Sequence, residues 1–147
     1  MQLQDLYETY HDQVRFLSVY ISEAHPVDGW WFGKGLSKWL MKLYSPKVSM
    51  DIYTHNTMEE RRKAAGQCQD ALRYRIRTYV DEMDDAVSKA YAAYPDRLYL
   101  IGADGKVVYA GGLGPFGFRP RELGAAIEKY FEQYRGATDS FTGDERR

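Results

Sequence analysis

Phe16-Leu17-Ser18-Val19-Tyr20-Ile21-Ser22-Glu23-Ala24-His25-Pro26-Val27-Asp28-Gly29-Trp30 is the stretch on which the reading of this chain turns. It opens as a short run of apolar and β-favouring residues, the pattern of a strand buried on both faces. It then breaks into Glu, His, Pro, Asp and Gly, so a polar cluster sits where the chain leaves the carboxyl end of the strand. In open α/β sheets that rim is where ligands bind. Glu23 and His25 are two residues apart, so an extended backbone there aims both side chains the same way. A carboxylate beside an imidazole can raise the His pKa and fix the ring, which suits proton donation near neutral pH. An isolated Glu-x-His, taken alone, is more often an ordinary strand end than a site.

Outward from that stretch, residues 2–12 carry Leu3, Leu6, Tyr7 and Tyr10 at helical spacing and predict an amphipathic helix before the strand at 15–22. Residues 29–50 hold Trp30, Trp31, Phe32, Trp39 and Tyr44 with Lys34, Lys38, Lys42 and Lys47, and no acid. Leu36, Trp39, Leu40, Leu43 and Tyr44 make one apolar stripe, a short helix that Pro46 ends. Packing of that stripe on the sheet is the default reading; a pocket wall comes next, and a membrane-surface helix last. Thr57-Met58-Glu59-Glu60 has the form of a capping box and starts a helix at residue 58. His55 then lies by the positive end of the helix dipole, which favours neutral imidazole. Ala65, Cys68 and Leu72 share a face of this helix, so Cys68 reads as a small buried apolar residue.

Residues 73–80 alternate Tyr74, Ile76, Thr78 and Val80 against Arg75, Arg77 and Tyr79, a strand with one wet face. A helix over 84–93 ends before Pro95, and 97–101 and 106–110 form a hairpin around Gly102-Ala103-Asp104-Gly105. Gly111-Gly112-Leu113-Gly114-Pro115 is a loop, and Pro120 opens a last helix whose Leu123, Ile127, Tyr130, Phe131 and Tyr134 share a face. Residues 135–147 are polar and charged and read as a tail without fixed structure.

Composition narrows the classes. At 147 residues the chain is expected to be one domain. A net charge of −1 offers no basic excess for nucleic acid. One cysteine excludes an internal disulfide framework. No run approaches the roughly 20 apolar residues of a membrane span, so a soluble, cytoplasmic protein without a membrane partner is expected. Thirteen Tyr and three Trp suit an aromatic ligand or a tightly packed core. His11, His25 and His55 have no metal-ligand spacing, so no metal site is expected.

Tyr20-Ile21-x-Glu23-Ala24-His25-Pro26-x-Asp28-Gly29-Trp30 resembles the core motif of the iodothyronine deiodinase family, thioredoxin-fold selenoenzymes with cysteine-bearing bacterial relatives. Further blocks agree in order: His55-x-x-Met58-Glu59-x-Arg61 with Ala64-Ala65; Val80-Asp81-x-Met83 with Ala90-Tyr91; and Asp96-Arg97-Leu98-Tyr99-Leu100-Ile101 through Val108-Tyr109-x-Gly111-Gly112-x-Gly114-Pro115 to Glu122-Leu123. The resemblance spans residues 3–134. It implies an α/β, thioredoxin-like fold with a helical insert at 29–50 and the first core strand missing, so that two strands keep unpaired edges. The family's selenocysteine or cysteine nucleophile would lie a few residues before Met1, as in a chain shortened at an in-frame UGA codon. Pro95 stands where the thioredoxin fold often has a cis proline.

By the same resemblance, His25 with Glu23 serves proton chemistry and His55 binds the phenol or ether end of the substrate. Tyr20 and Trp30 line its site, and Asp96 stands where the family has Glu. Leu113 replaces the basic residue usual in vertebrate members, removing a charge that would meet an amino-acid carboxylate. The implied activity is reductive deiodination of an iodinated aromatic such as thyroxine, with an external thiol reductant and no bound cofactor. The implied partners are a small aromatic substrate, the thiol and, as an option that would hide strand edges, a second copy of the chain. The alternatives are a non-catalytic thioredoxin-like binding module and a thiol peroxidase-like redox protein.

Overall fold

The structure, a computed structural model, describes residues 2–23, 53–73 and 75–142, with 135–142 as backbone only. Its elements follow the expected order: α1 (Leu3–Tyr10), β1 (Leu17–Tyr20), α2 (Met58–Leu72), β2 (Arg77–Val80), α3 (Ala86–Ala90), β3 (Tyr99–Ile101), β4 (Val107–Ala110) and α4 (Pro120–Thr142). The insert at 29–50 lies outside the described residues. The chain divides into two compact units, residues 10–95 and residues 1–9 with 96–147.

In the unit of residues 10–95, β1 and β2 pair in parallel from Leu17↔Arg77 to Tyr20↔Val80, and the Asp81 N–H extends the ladder to the Tyr20 carbonyl at 2.8 Å. The expectation that β1 is buried on both faces is corrected: Leu17 and Val19 remain 58% and 39% exposed, beside exposed Arg77 and Tyr79. A parallel strand is dry on both faces only where both are covered. Here α2 packs on β2, while the face carrying Leu17 and Val19 stays open.

The capping box forms as read. Thr57 Oγ1 accepts the Glu60 N–H at 3.2 Å, and the Glu60 carboxylate accepts the N–H groups of Thr57 at 3.3 Å and Asn56 at 2.8 Å. At the other end Arg73 caps the helix in the left-handed region, φ 52°, and so takes the first residue expected of the strand. On its buried face α2 carries Arg61, Ala64 and Ala65, whereas Leu72 in the last turn is exposed.

Two charged side chains lie deep in this unit. Asp81, 2% exposed, accepts the N–H groups of Glu82 and Val87 on Oδ1 and of Ser88 on Oδ2, which ties the start of α3 to the end of β2. Arg61, 3% exposed, donates from Nη1 to the Glu82 carbonyl at 2.6 Å and to Asp85 Oδ1 at 2.8 Å. Burial on its own would raise the Asp81 pKa. The three N–H donors and the Arg61 charge outweigh it and hold the carboxyl below the usual carboxylate range.

In the other unit β3 and β4 form an antiparallel hairpin, irregular between Leu100 and Ile101, on which α4 packs. Leu98, Leu100, Leu123 and Ile127 are buried in this unit, as is Leu6 of α1. The Ala103 N–H donates to the Tyr130 hydroxyl at 2.8 Å and so pins the hairpin turn to α4. The final helix runs on to Thr142, through residues expected to form a tail. Extending an existing helix fixes one residue per hydrogen bond gained, and Gly136 is the least favourable helix residue between Arg135 and Thr142. No helix among the described residues is long and apolar enough to cross a membrane.

Candidate functional site

The carboxyl end of β1 carries a compact polar and aromatic group. The Tyr20 hydroxyl donates to Glu23 Oε2 at 2.9 Å. Burial first, then the charge and hydrogen bond of Glu23, push the Tyr20 pKa well above its ordinary value, so the phenol keeps its proton. The His55 ring lies 5.9 Å from the Tyr20 ring, centroid to centroid and tilted by 50°, and both its ring nitrogens are shielded from solvent. Its place follows from the helix cap, because the Glu60 carboxylate grips the backbone N–H groups of the next two residues. Cys68 is half-buried, and burial followed by the Glu23 charge pushes its thiol up, away from the reactive thiolate.

Tyr20, Glu23 and His55, separated by up to 35 positions, are therefore brought together, as their assigned roles require. His25 and Trp30 lie outside the described residues. A protonated phenol bonded to a carboxylate beside an imidazole can pass or hold a proton, and two aromatic rings can line a flat ligand.

Asp96 and Leu113 meet in the unit of residues 96–147. The Gly114 N–H donates to the Asp96 carbonyl at 3.0 Å, Arg97 Nε donates to the Gly111 carbonyl at 2.6 Å, and the Gly111 N–H donates to the Leu98 carbonyl at 2.8 Å. The Asp96 carboxylate occupies the space a side chain at 114 would need. Burial pushes this carboxyl above its ordinary pKa. Leu113 is 50% exposed and Phe116 90%, so the loop presents an apolar surface and no cation at 113. Both Tyr94–Pro95 and Gly114–Pro115 are cis.

This loop also yields a prediction. A Cβ on Gly117 would fall inside contact distance of the Gly112 and Leu113 backbone, which cannot swing aside as a side chain can. Gly117→Ala is expected to break the Gly117 N–H bond to the Leu113 carbonyl and destabilise this unit by about 2 kcal/mol. Urea unfolding checks it, and an unchanged midpoint would mean that the loop relaxes freely.

Sequence reasoning passed over Arg61 and Asp81. Both stand in quoted motif blocks, yet charged residues are rarely buried, so neither was taken for a core residue. The usable signal was Asp81 just after a β-rich run and before a helix start. Among the described residues, no three His, Cys, Asp or Glu side chains gather as metal ligands.

The chain is thus an α/β protein with a phenol–carboxylate hydrogen bond beside a histidine at a strand's carboxyl end. Comparison with known proteins places it further: the iodothyronine deiodinase family model matches residues 1–131, and the chain belongs to that family. It is similar to the thyroxine 5-deiodinase of Homo sapiens, 37% identical over 134 residues that cover 91% of this chain and 39% of the human protein. The thyroxine 5-deiodinase of Sparus aurata is 39% identical over 132 residues, covering 90% and 42%. That of Aquarana catesbeiana is 40% identical over 120 residues, covering 81% and 39%. The chain thus spans about two fifths of the length of these relatives.

Proposed function

We propose that this chain carries the proton-handling and substrate-lining residues of a thiol- or selenol-dependent reductive dehalogenase that acts on iodinated aromatics of the thyroxine kind. The observation that carries the reading is the Tyr20–Glu23 hydrogen bond with His55 packed beside it, in a member of the deiodinase family. The nucleophile is a selenolate or thiolate that the family resemblance puts ahead of residue 1. Cys68, with its thiol pushed up, is a poor candidate for it.

In the first step the nucleophile attacks iodine, the carbon–iodine electron pair passes to the ring carbon, and that carbon takes a proton. The Tyr20–Glu23 pair, with His25, manages this proton. A thiol then displaces iodide from the resulting selenenyl or sulfenyl iodide, and a second thiol frees the nucleophile and leaves as a disulfide. The ring gains two electrons and the thiols lose two. No resident cofactor takes part in this scheme.

The parallel β1–β2 pair and the antiparallel β3–β4 pair support a thioredoxin-like fold. Binding tests the site directly. A diiodophenol is expected to bind this chain more tightly than phenol does, and His55→Ala is expected to weaken that binding about tenfold, ~1.4 kcal/mol. Titration calorimetry reads both, and equal affinity for the two phenols would contradict the reading.

A further inference from the structure

Resting on the dehalogenase reading, we propose that Arg61 is the positioning residue of this site: from α2 it fixes the turn that presents His55 against the strand end that carries Tyr20 and Glu23. The guanidinium is 3% exposed, and its Nη1 donates to the Asp81 carbonyl at 3.4 Å, the Glu82 carbonyl at 2.6 Å and Asp85 Oδ1 at 2.8 Å. The Asp81 N–H in turn donates to the Tyr20 carbonyl at 2.8 Å. Arg61 thus holds the same backbone segment that holds Tyr20. On its own helix Arg61 directly follows Glu60, whose carboxylate fixes Asn56 and Thr57, the residues after His55. The chain of contacts runs from His55 through the capping box to Arg61, across to Asp81, and back to Tyr20.

The same cation acts on the Tyr20 hydroxyl. Burial, the Glu23 charge and, more weakly, Cys68 push that hydroxyl up, and Arg61 pulls it down. The groups that bear on it are Glu23 from its own strand end, Cys68 and Arg61 from α2, and the His55 ring from the turn before α2. A lysine in place of Arg61 keeps the charge but ends in an ammonium of different reach, without the guanidinium whose Nη1 makes all three bonds.

The test uses the intact chain and reads the site by NMR: the ring-to-ring cross-relaxation between Tyr20 and His55, with melting temperatures alongside. The variants are Arg61→Met, Arg61→Lys and Asp85→Asn, the last of which weakens the ion pair but leaves the guanidinium on its carbonyls. The Tyr20–His55 signal is expected to survive Asp85→Asn, fall at least twofold in Arg61→Lys and vanish in Arg61→Met. An intact ring-to-ring signal in folded Arg61→Met overturns the proposal. So does an equal loss in Asp85→Asn, since Arg61 would then be one half of a structural ion pair. If Arg61→Met does not fold, an unaltered signal in Arg61→Lys overturns it. Failure of the dehalogenase reading is seen separately, as a form extended upstream of Met1 that releases no iodide from a diiodophenol while these ring signals behave as stated.

Discussion

In a form that includes the residues encoded upstream of Met1, Glu23→Gln is expected to lower kcat for iodide release by about 10²- to 10³-fold, the scale of a lost proton-handling group, with KM changed little. The substitution keeps nearly the same shape, and its amide oxygen still accepts the Tyr20 hydroxyl, which Glu23 accepts at 2.9 Å in the structure. Stability should therefore move by less than about 1 kcal/mol. What is lost is the negative charge that lets the pair take and return a proton. Tyr20→Phe removes the donor and leaves the carboxylate, so its effect on kcat is expected to be smaller. Steady-state kinetics on the two variants checks the order, and a Tyr20→Phe defect larger than that of Glu23→Gln would reassign the proton to the phenol.

Asp81→Ala is expected to destabilise the unit of residues 10–95 by about 4 kcal/mol. The carboxylate is 2% exposed and satisfies the N–H groups of Glu82, Val87 and Ser88; truncation leaves three donors with no acceptor in a site closed to water. It also removes a negative charge near buried Arg61, whose own charge lowers the Asp81 pKa, while the Arg61–Asp85 ion pair remains. The wild-type dependence on acid follows from the direction of that shift. A carboxyl whose folded pKa lies below its unfolded value of about 3.9 contributes its full stabilisation above that value and loses it as pH falls through the folded one. Urea midpoints measured from pH 6 down to pH 2 should thus fall more gently in Asp81→Ala than in wild type. Parallel curves would show that Asp81 does not stay ionised in the fold.

The elements were legible because local physics fixes them. The capping box at Thr57–Glu60 placed a helix start at 58, and the helix begins at Met58. Pro120 opened the last helix where the structure has it. Alternation across 73–80 gave β2 its wet face, seen in exposed Arg77 and Tyr79 beside buried Ile76, although the strand itself covers only Arg77–Val80. The family motif named Tyr20, Glu23 and His55, and the structure joins them. The division into two units was not legible, because it depends on which contacts cross the chain. The openness of Leu17 and Val19 was hidden for a related reason: an apolar run says what a strand can bury, not what arrives to cover it. The Arg61–Asp81–Asp85 group was missed because burial of charge is a tertiary property, set by carbonyls and N–H groups that three separate elements supply.

Thiol-dependent iodide release from a diiodophenol tests the central claim most directly, measured on this chain and on a form that includes residues encoded upstream of Met1. Release by the longer form, lost in Glu23→Gln and His25→Ala and retained in Cys68→Ser, is the predicted result. Iodophenol binding with no release from either form would contradict it and leave a binding module. Release that Cys68→Ser abolishes would contradict it too, by moving the nucleophile onto α2.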